Sequence, residues 1–206
     1  MFDAQLAPLA SRLLTPAARL LTRLGLKADQ MTFAGFAIGA LAVPLLAVSL
    51  YGWALAAILL NRLCDGIDGA MARVQGPTNR GAFLDIALDF AFYGLVVLGF
   101  ALADPTRNAL PAALLLAAFI GTGSSFLAFA VIAERMGVKA EAFPMKGIAY
   151  LGGLTEGTET IALFVLMCLF PALFPVLAMI FAALCLLTTV MRWREGFRRF
   201  STEPEA

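Results

Sequence analysis

The chain has 206 residues, of which 61% are hydrophobic and only 14% are charged, and its mean hydropathy is +0.88. Soluble domains of this size do not have such a composition, so we expect an integral membrane protein. The net charge of +1 gives no basic surface for nucleic acid, and the absence of histidine excludes imidazole bases, imidazole metal ligands and a Ser-His-Asp triad.

Residues 1–27 are predicted to form a short amphipathic helix on the membrane surface. Arg12, Arg19, Arg23 and Lys27 are spaced among leucines, an arrangement that suits the boundary between lipid headgroups and acyl chains. The alternative interpretation is a flexible basic tail.

Six apolar segments follow, each close to the ~20 residues needed to cross a hydrocarbon core of about 30 Å. The predicted spans are 32–49, 53–74, 81–102, 110–133, 147–169 and 174–191. The sequence therefore predicts an all-α integral membrane protein, with six transmembrane helices after an N-terminal amphipathic surface helix. Residues 1–27 are the juxtamembrane helix, 28–195 form the membrane domain that carries the functional site, and 196–206 form a cytoplasmic tail.

Gly35 and Gly39 in the first span form a Gly-x-x-x-Gly pattern. Small residues at this spacing let two helices approach closely in a membrane. The pattern is explained equally well by packing inside the chain and by formation of a homodimer.

The second and third spans carry four aspartates near the loop that joins them. Asp65 and Asp68 are three residues apart, and Asp85 and Asp89 are four apart, so each pair lies on one face of its helix. The segment 76–79, Gly-Pro-Thr-Asn, is typical of a turn. In two antiparallel helices joined there, Asp65 and Asp89 both lie on the order of 15 Å from the turn. All four carboxylates are therefore predicted to face one cleft.

These residue types indicate a site for hard divalent cations. Carboxylates so close together repel one another unless a cation lies between them, and an oxygen-only ligand set favours Mg²⁺ or Mn²⁺ over Zn²⁺. Two such ions would balance the charge and leave positions for phosphate oxygens. Gly69 and Gly81 leave room for a ligand on the same faces, and Arg73 could clamp a diphosphate. The structural alternative is that the acids pair with Arg62, Arg73 and Arg80, but buried acids in membrane helices are usually functional.

Polar residues also interrupt the fourth and fifth spans, at 121–125 and 152–160. Glu156 and Glu159 are predicted to share a helix face. Two interpretations remain open: the glutamates shape a pocket for a second substrate, or they pair with an arginine of the second span.

The distribution of Lys and Arg predicts the orientation in the membrane. With six spans, both termini and the loops near 75–80 and 134–146 lie on one side, and 14 of the 15 Lys and Arg residues lie on or near that side. The exception is Arg107. The positive-inside rule makes the first side cytoplasmic. The aspartates are therefore expected to open toward the cytoplasm, and the expected location is a bacterial inner membrane.

The aspartate region resembles the signature of the CDP-alcohol phosphotransferase family, integral membrane enzymes of phospholipid synthesis. It reads Asp65-x-x-Asp68-Gly69-x-x-Ala72-Arg73 and then, after seven residues, Gly81-x-x-x-Asp85-x-x-x-Asp89. Every fixed position is filled, and the match covers some 25 residues. The resemblance implies two bound metal ions, with Asp65, Asp68 and Asp85 as ligands and Asp89 as a further ligand or as the catalytic base.

The resemblance also implies a pocket for the CDP group and an acceptor site beside it. The implied CDP-binding residues are Thr32, Asp65, Gly66, Gly69, Ala72, Arg73 and Gly81. The residues expected around the acceptor are Arg80, Arg135, Lys146, Glu156 and Glu159, and the cations among them serve either a negatively charged acceptor or membrane topology. The family often has a Pro-Asn pair near the nucleotide, shortly before the threonine of its first span. This chain departs from that pattern, because its segment reads Ala28-Asp29-Gln30-Met31-Thr32.

The expected function is therefore that of an enzyme with two Mg²⁺ or Mn²⁺ ions as cofactors. The expected donor is CDP-diacylglycerol, and the acceptor is an alcohol such as glycerol 3-phosphate or another anionic alcohol. The products would be CMP and a phosphodiester lipid. The competing interpretations are an ion-coupled transporter that uses intramembrane carboxylates and a non-catalytic assembly factor. Neither explains the Gly-x-x-Ala-Arg continuation after Asp68.

Overall fold

The computed structural model describes residues 3–136 and 154–201, with side chains from residue 13 onward. Within these ranges the chain forms helices and turns and no strand. The helices are α1 (Asp3–Arg23), α2 (Ala28–Ala40), α3 (Ala42–Ala47), α4 (Tyr51–Gln75), α5 (Asn79–Ala103), α6 (Pro105–Arg135), α7 (Gly157–Leu169) and α8 (Phe174–Phe200). The predicted all-α fold is confirmed.

Four helical segments of the described chain are long and apolar enough to cross a membrane. They are Ala28–Ala47, Asn79–Ala103, Pro105–Arg135 and Pro171–Phe200. Helix α4 is as long as α5, at 25 residues, but its second half is polar. Helix α7 has 13 residues, and the predicted start of the fifth span at 147–153 lies outside the described residues. The chain is an all-α integral membrane protein, but the count of six spans is not confirmed.

The first predicted span is not one continuous helix. Helix α2 ends at Ala40 and α3 begins at Ala42, with Leu41 in a turn between them. Pro44 lacks the N–H that a continuous helix would donate to the carbonyl of Ala40, which explains the break. The N–H of Leu45 donates to the carbonyl of Leu41 at 3.3 Å, so helical bonding resumes directly after the turn.

A loop of three residues, 76–78, joins α4 to α5. Gly76 ends α4 with φ +95°, a left-handed conformation that favours glycine. Thr78 then caps α5, because its hydroxyl accepts a hydrogen bond from the N–H of Gly81 at 3.0 Å. The helical hairpin and its turn agree with the prediction from the sequence.

Helix α2 sets the separation between α4 and α5. It packs closely on α4 and also contacts α5, whereas direct backbone contact between α4 and α5 is slight in the described structure. A Cβ built on Gly35 would lie 2.6 Å from the Cβ of Cys64, and one built on Gly39 would lie 2.8 Å from the ring of Phe92. The Gly-x-x-x-Gly pattern therefore serves packing inside the chain.

The apolar core occupies the half of the bundle farther from the 76–78 loop. Its largest fully buried side chains include Phe92, Phe100, Phe164 and Phe174. The rings of Phe100 and Phe174 stack with their centroids 4.8 Å apart. Close packing of this kind fixes the helices relative to one another, so the aspartates project from helices that are anchored at their other ends.

Helix α1 packs against the polar half of α4. Ala18 is fully buried with Ala70 and Met71 of α4, and Leu14 lies over Gly66, where an added Cβ would be 2.6 Å from the leucine Cδ1. Among the residues with described side chains, Leu13 and Leu20 of α1 and Leu24 just after it are exposed. This segment is therefore the predicted amphipathic helix and not a flexible tail.

Candidate active site

Three of the four predicted aspartates form a compact carboxylate cluster. One oxygen each from Asp65 and Asp68 of α4 and from Asp85 of α5 lie within 4.8 Å of one another. Asp68 is buried, and its Oδ2 has no hydrogen-bond partner among the described residues. A buried carboxylate oxygen without a partner destabilises a structure, and a divalent cation with oxygen ligands would satisfy it. The cluster therefore fits Mg²⁺ or Mn²⁺.

Asp89 lies in the same cavity but has a different partner. Its Oδ1 accepts a hydrogen bond from Nη2 of Arg62 at 2.7 Å, and its Oδ2 is 3.5 Å from the hydroxyl of Tyr93. The same guanidinium places Nη1 3.6 Å from Oδ2 of Asp65. The four acids thus share one cavity, with three grouped for a cation and the fourth bound to an arginine.

The cavity lies where α2, α4 and α5 meet. Beside the four acids and Arg62, it is lined by Thr32, Gly35, Phe36, Asn61 and Leu88. Thr32, predicted to bind CDP, thus reaches the cavity wall, and its hydroxyl donates to the carbonyl of Ala28 at 3.1 Å.

Two of the predicted CDP-binding glycines, Gly69 and Gly81, differ in the space around them. A Cβ on Gly69 would meet only Nη1 of Arg73, at 3.7 Å, so the space beside it is open. A Cβ on Gly81 would come 3.1 Å from Oγ1 of Thr78 and 3.5 Å from Oδ1 of Asp29. The space beside Gly69 is therefore open, whereas Gly81 is in close contact with the Thr78 cap of α5.

The other predicted CDP-binding residues of α4 have different surroundings. Arg73 is exposed in the last turn of α4, and Ala72 beside it is half-buried. Gly66 lies against Leu14 of α1 and does not line the cavity between α2, α4 and α5. Its small size therefore serves helix packing.

An ion pair joins α2 to α5 at the loop end of the site. Nη2 of Arg80 lies 2.5 Å from Oδ2 of Asp29, and Nε lies 2.7 Å from the same oxygen. Such charge-assisted bonds fix the geometry of the two groups. Arg80, predicted for the acceptor site, thus pairs with the aspartate of the Ala28-Asp29 departure and not with any of the four acids.

The remaining predicted acceptor residues are more widely spread. Arg135 is exposed in the last turn of α6, and Lys146 lies outside the described residues. Glu156 precedes α7 in an extended conformation, φ −123° and ψ −171°, and its N–H donates to Oε2 of Glu159 at 3.2 Å. The prediction that the two glutamates share a helix face is wrong, because the helix begins after Glu156 and Glu159 caps its start. Residues 154–156 likewise precede the helix, so this part of the polar stretch is not helical.

Sequence reasoning missed two features of the polar interior. Asn61 is buried, with Nδ2 donating to the carbonyl of Gly35 at 3.0 Å and Oδ1 accepting from Nε of Arg62 at 2.8 Å. Arg192 entered the sequence argument only through topology, yet it is buried in α8 and donates to the carbonyl of Thr122 at 3.0 Å. Polar residues inside apolar helices were the available signal in both cases.

Comparison with known proteins finds relatives of nearly the whole chain. Residues 26–191 match the family model described as CDP-alcohol phosphatidyltransferase. The inner membrane protein YnjF of Escherichia coli K12 is 54% identical over 197 residues, which cover 96% of each chain. The phosphatidylinositol phosphate synthase of Streptomyces avermitilis is 41% identical over 95 residues, which are 45% of this chain and 38% of that protein.

Solved structures share the helical arrangement. The crystal structure of Mycobacterium tuberculosis phosphatidylinositol phosphate synthase with CDP-DAG bound has a TM-score of 0.69 and 25% identity, and the match covers 95% of this chain and 99% of that one. The same synthase in complex with manganese and citrate has a TM-score of 0.68 and 25% identity, with 94% and 93% covered. The likeness thus extends over almost all of both chains.

Proposed function

Because the chain belongs to the CDP-alcohol phosphatidyltransferase family, it is a membrane transferase of phospholipid synthesis, and we propose that it moves a phosphatidyl group from CDP-diacylglycerol to an alcohol and releases CMP. The observation that carries the proposal is the cluster of Asp65, Asp68 and Asp85, with oxygens within 4.8 Å of one another. The mycobacterial relative was solved with CDP-DAG bound, which supports this donor. Because the family is one of transferases, the alternative of an ion-coupled transporter is dropped.

The carboxylate cluster is the proposed metal site. The family uses divalent metal ions, and the mycobacterial relative has been solved with manganese. We assign Asp65, Asp68 and Asp85 as ligands of two Mg²⁺ or Mn²⁺ ions, with Asp89 as a further ligand or as the base. Bound ions supply positive charge to the diphosphate of the donor and to the departing CMP. The buried, unpartnered Oδ2 of Asp68 supports the assignment.

The other signature residues are assigned to the nucleotide. The open space beside Gly69 lets a phosphate approach the backbone. Nη1 of Arg73 lies 3.7 Å from the position that a Cβ on Gly69 would take, and its planar guanidinium suits a diphosphate. Ala72 and Gly81 are assigned to the same pocket as small residues of the signature, and Thr32 lines the cavity from α2. Gly66 contributes indirectly by admitting α1 against α4.

The proposed transfer forms one bond and breaks another at a single phosphorus atom. The acceptor hydroxyl attacks the phosphorus that carries the diacylglycerol, and the bond from that phosphorus to the CMP oxygen breaks. Asp89 takes the hydroxyl proton, a role worth on the order of 10²–10⁴ in rate. Its carboxylate is suited to this role because Arg62 fixes Oδ1 with a hydrogen bond of 2.7 Å. The other oxygen, Oδ2, has a longer contact of 3.5 Å with the hydroxyl of Tyr93 and is the proposed proton acceptor.

The proposed acceptor is an anionic alcohol such as glycerol 3-phosphate. Arg80 remains 74% exposed despite its ion pair, so its guanidinium can still meet a phosphate. In the topology predicted from the positive-inside rule, Arg135 and Lys146 would add positive charge on the same side of the membrane. Glu156 and Glu159, at the start of α7, are proposed to shape the acceptor pocket.

The proposed location is a bacterial inner membrane with both termini in the cytoplasm. The bias of Lys and Arg supports this orientation, and the Escherichia coli relative is an inner membrane protein. Residues 28–195 are proposed as the catalytic membrane domain and 196–206 as the tail. Because α8 continues to Phe200, the tail begins as helix.

Purified protein, labelled CDP-diacylglycerol, Mg²⁺ or Mn²⁺ and a panel of alcohols test the proposal directly. We expect CMP release, a new phosphodiester lipid with glycerol 3-phosphate or a related anionic alcohol, and no turnover in excess EDTA. Transfer only to neutral alcohols would reject the acceptor class. Absence of CMP release with every alcohol, or full turnover in EDTA, would reject the transfer mechanism itself.

A further inference from the structure

Arg62 is not part of the signature, yet its contacts link three helices. Its Nε donates to Oδ1 of Asn61 at 2.8 Å, and Nδ2 of Asn61 donates to the carbonyl of Gly35 at 3.0 Å. Its Nη2 donates to Asp89 at 2.7 Å. A chain of hydrogen bonds therefore runs from the backbone of α2, through α4, to a carboxylate on α5.

Two aromatic rings of α5 also hold the guanidinium. Its carbon Cζ lies 4.8 Å from the ring centroid of Phe92 and 5.6 Å from that of Tyr93, distances typical of cation–π contact. The hydroxyl of Tyr93 lies 3.5 Å from Nη1 of Arg62 and 3.5 Å from Oδ2 of Asp89. The side chain of Arg62 is only 17% exposed. Its position is therefore set by packing as well as by charge.

Arg62 also places a permanent positive charge among the carboxylates. The described cavity lining contains four aspartates and this one arginine. Nη1 is 3.6 Å from Asp65 of the metal cluster while Nη2 is bonded to Asp89. A fixed cation at these distances competes with a divalent ion for the same carboxylates.

We propose that Arg62 is a positioning residue with two effects on the site. It fixes the orientation in which Asp89 meets the acceptor hydroxyl, and its charge limits how tightly the carboxylates hold metal ions. Mutation of groups that hold metal-site side chains in place typically lowers metal affinity or activity by 10–100-fold. Loss of Arg62 should tighten metal binding and slow turnover, whereas loss of a simple structural brace would weaken both. The turnover effect rests on the proposed function, and the binding effect does not.

The experiment compares Arg62→Met with the unaltered full-length protein in detergent. Mn²⁺ binding to metal-free protein is measured by the electron paramagnetic resonance of free Mn²⁺, and turnover by CMP release at saturating Mn²⁺. We expect the Kd for Mn²⁺ to fall by roughly threefold or more, because a competing positive charge is removed, and turnover to fall by about tenfold or more. Arg107→Met, which removes an exposed cation at the start of α6, should change neither quantity.

Arg62→Lys separates charge from geometry. Lysine keeps the positive charge but cannot bond Asn61, Asp89 and Asp65 together as a guanidinium does. We expect a Kd for Mn²⁺ within about twofold of the unaltered value, with turnover about tenfold lower. This variant carries the test if Arg62→Met does not fold.

Two results would overturn the proposal. One is weaker Mn²⁺ binding by a folded Arg62→Met protein, and the other is unaltered turnover in Arg62→Lys. If the unaltered protein transfers phosphatidyl groups to no alcohol, the proposed function fails, while the comparison of Mn²⁺ binding still tests Arg62.

Discussion

Gly35 and Cys64 bring α2 and α4 together so closely that a Cβ on the glycine would lie 2.6 Å from the Cβ of the cysteine. Gly35 lines the cavity and Cys64 directly precedes Asp65, so this contact joins the helix of Thr32 to the helix of the first two aspartates. Because a Cβ cannot rotate out of the way, any larger residue at position 35 must displace a helix.

Gly35→Ala should therefore destabilise the protein by about 1–3 kcal/mol, as overpacking does in well-packed cores. The measurement is thermal unfolding in detergent, with CMP release recorded on the same preparation. Gly52→Ala is the matched control, because a Cβ there meets nothing within 4 Å and alanine stabilises a helix by roughly 0.5–1 kcal/mol relative to glycine. Equal stability of the two variants would contradict the close contact.

Asp68→Asn should abolish phosphatidyl transfer by weakening metal binding, since a neutral amide neither balances the charge nor ligates as strongly. We expect the Kd for Mn²⁺ to rise by at least the 10–100-fold that altering an outer partner causes. Asp104→Asn is the control: Asp104 caps α6 by accepting from the N–H of Arg107 at 3.1 Å, and asparagine caps equally well. Mn²⁺ binding that survives in Asp68→Asn would remove this residue from the ligand set.

Asp89→Asn separates the two roles proposed for the fourth aspartate. As the base, its loss should leave CDP-diacylglycerol and Mn²⁺ binding nearly intact while turnover falls by on the order of 10²–10⁴. Donor affinity, Mn²⁺ affinity and CMP release should be measured on one preparation. If Asp89→Asn loses Mn²⁺ binding as fully as Asp68→Asn, the residue is chiefly a ligand. Near-normal turnover would refute both roles.

Single cysteines at positions 106 and 201 test the proposed orientation. Thr106 lies at the exposed start of α6 and Ser201 follows the end of α8, so the positive-inside rule places them on opposite sides. In a background lacking the three native cysteines, an impermeant maleimide should label position 106 from outside the inner membrane and position 201 only after permeabilisation. The reverse pattern would invert the topology.

The aspartate cluster was predictable because it depends on local rules. Spacings of three and four residues select a helix face whatever surrounds the helix, and Gly76 with its neighbours marks the turn that brings Asp65 and Asp68 opposite Asp85. These features need no knowledge of other helices. The positions of the aspartates and of the turn agree with the structure because neither depends on how the other helices pack.

Other features depend on contacts distant in sequence and were not predictable. Pairing of the acids with Arg62 was an alternative open from the sequence, but the choice of Asp89 as the partner depends on the separation of α4 and α5, which α2 sets through Gly35. The start of α7 at Gly157 lies within the polar stretch 152–160 and was not recognised, because glutamates suit both a helix interior and a cap. The break at Leu41 had a local cause in Pro44, but the apolar run around it outweighed this signal.

The division of the bundle into an apolar half and a carboxylate half links folding to the supply of divalent ions. The aromatic packing of one half does not depend on metal ions. The other half places four acids beside a single guanidinium among the described lining residues. A ligand that binds only the folded chain stabilises it by about 2.7 kcal/mol at a concentration of about 100 times its Kd. Mn²⁺ should therefore raise the melting temperature, and metal starvation should shorten the lifetime of the protein in the membrane as well as stop its chemistry.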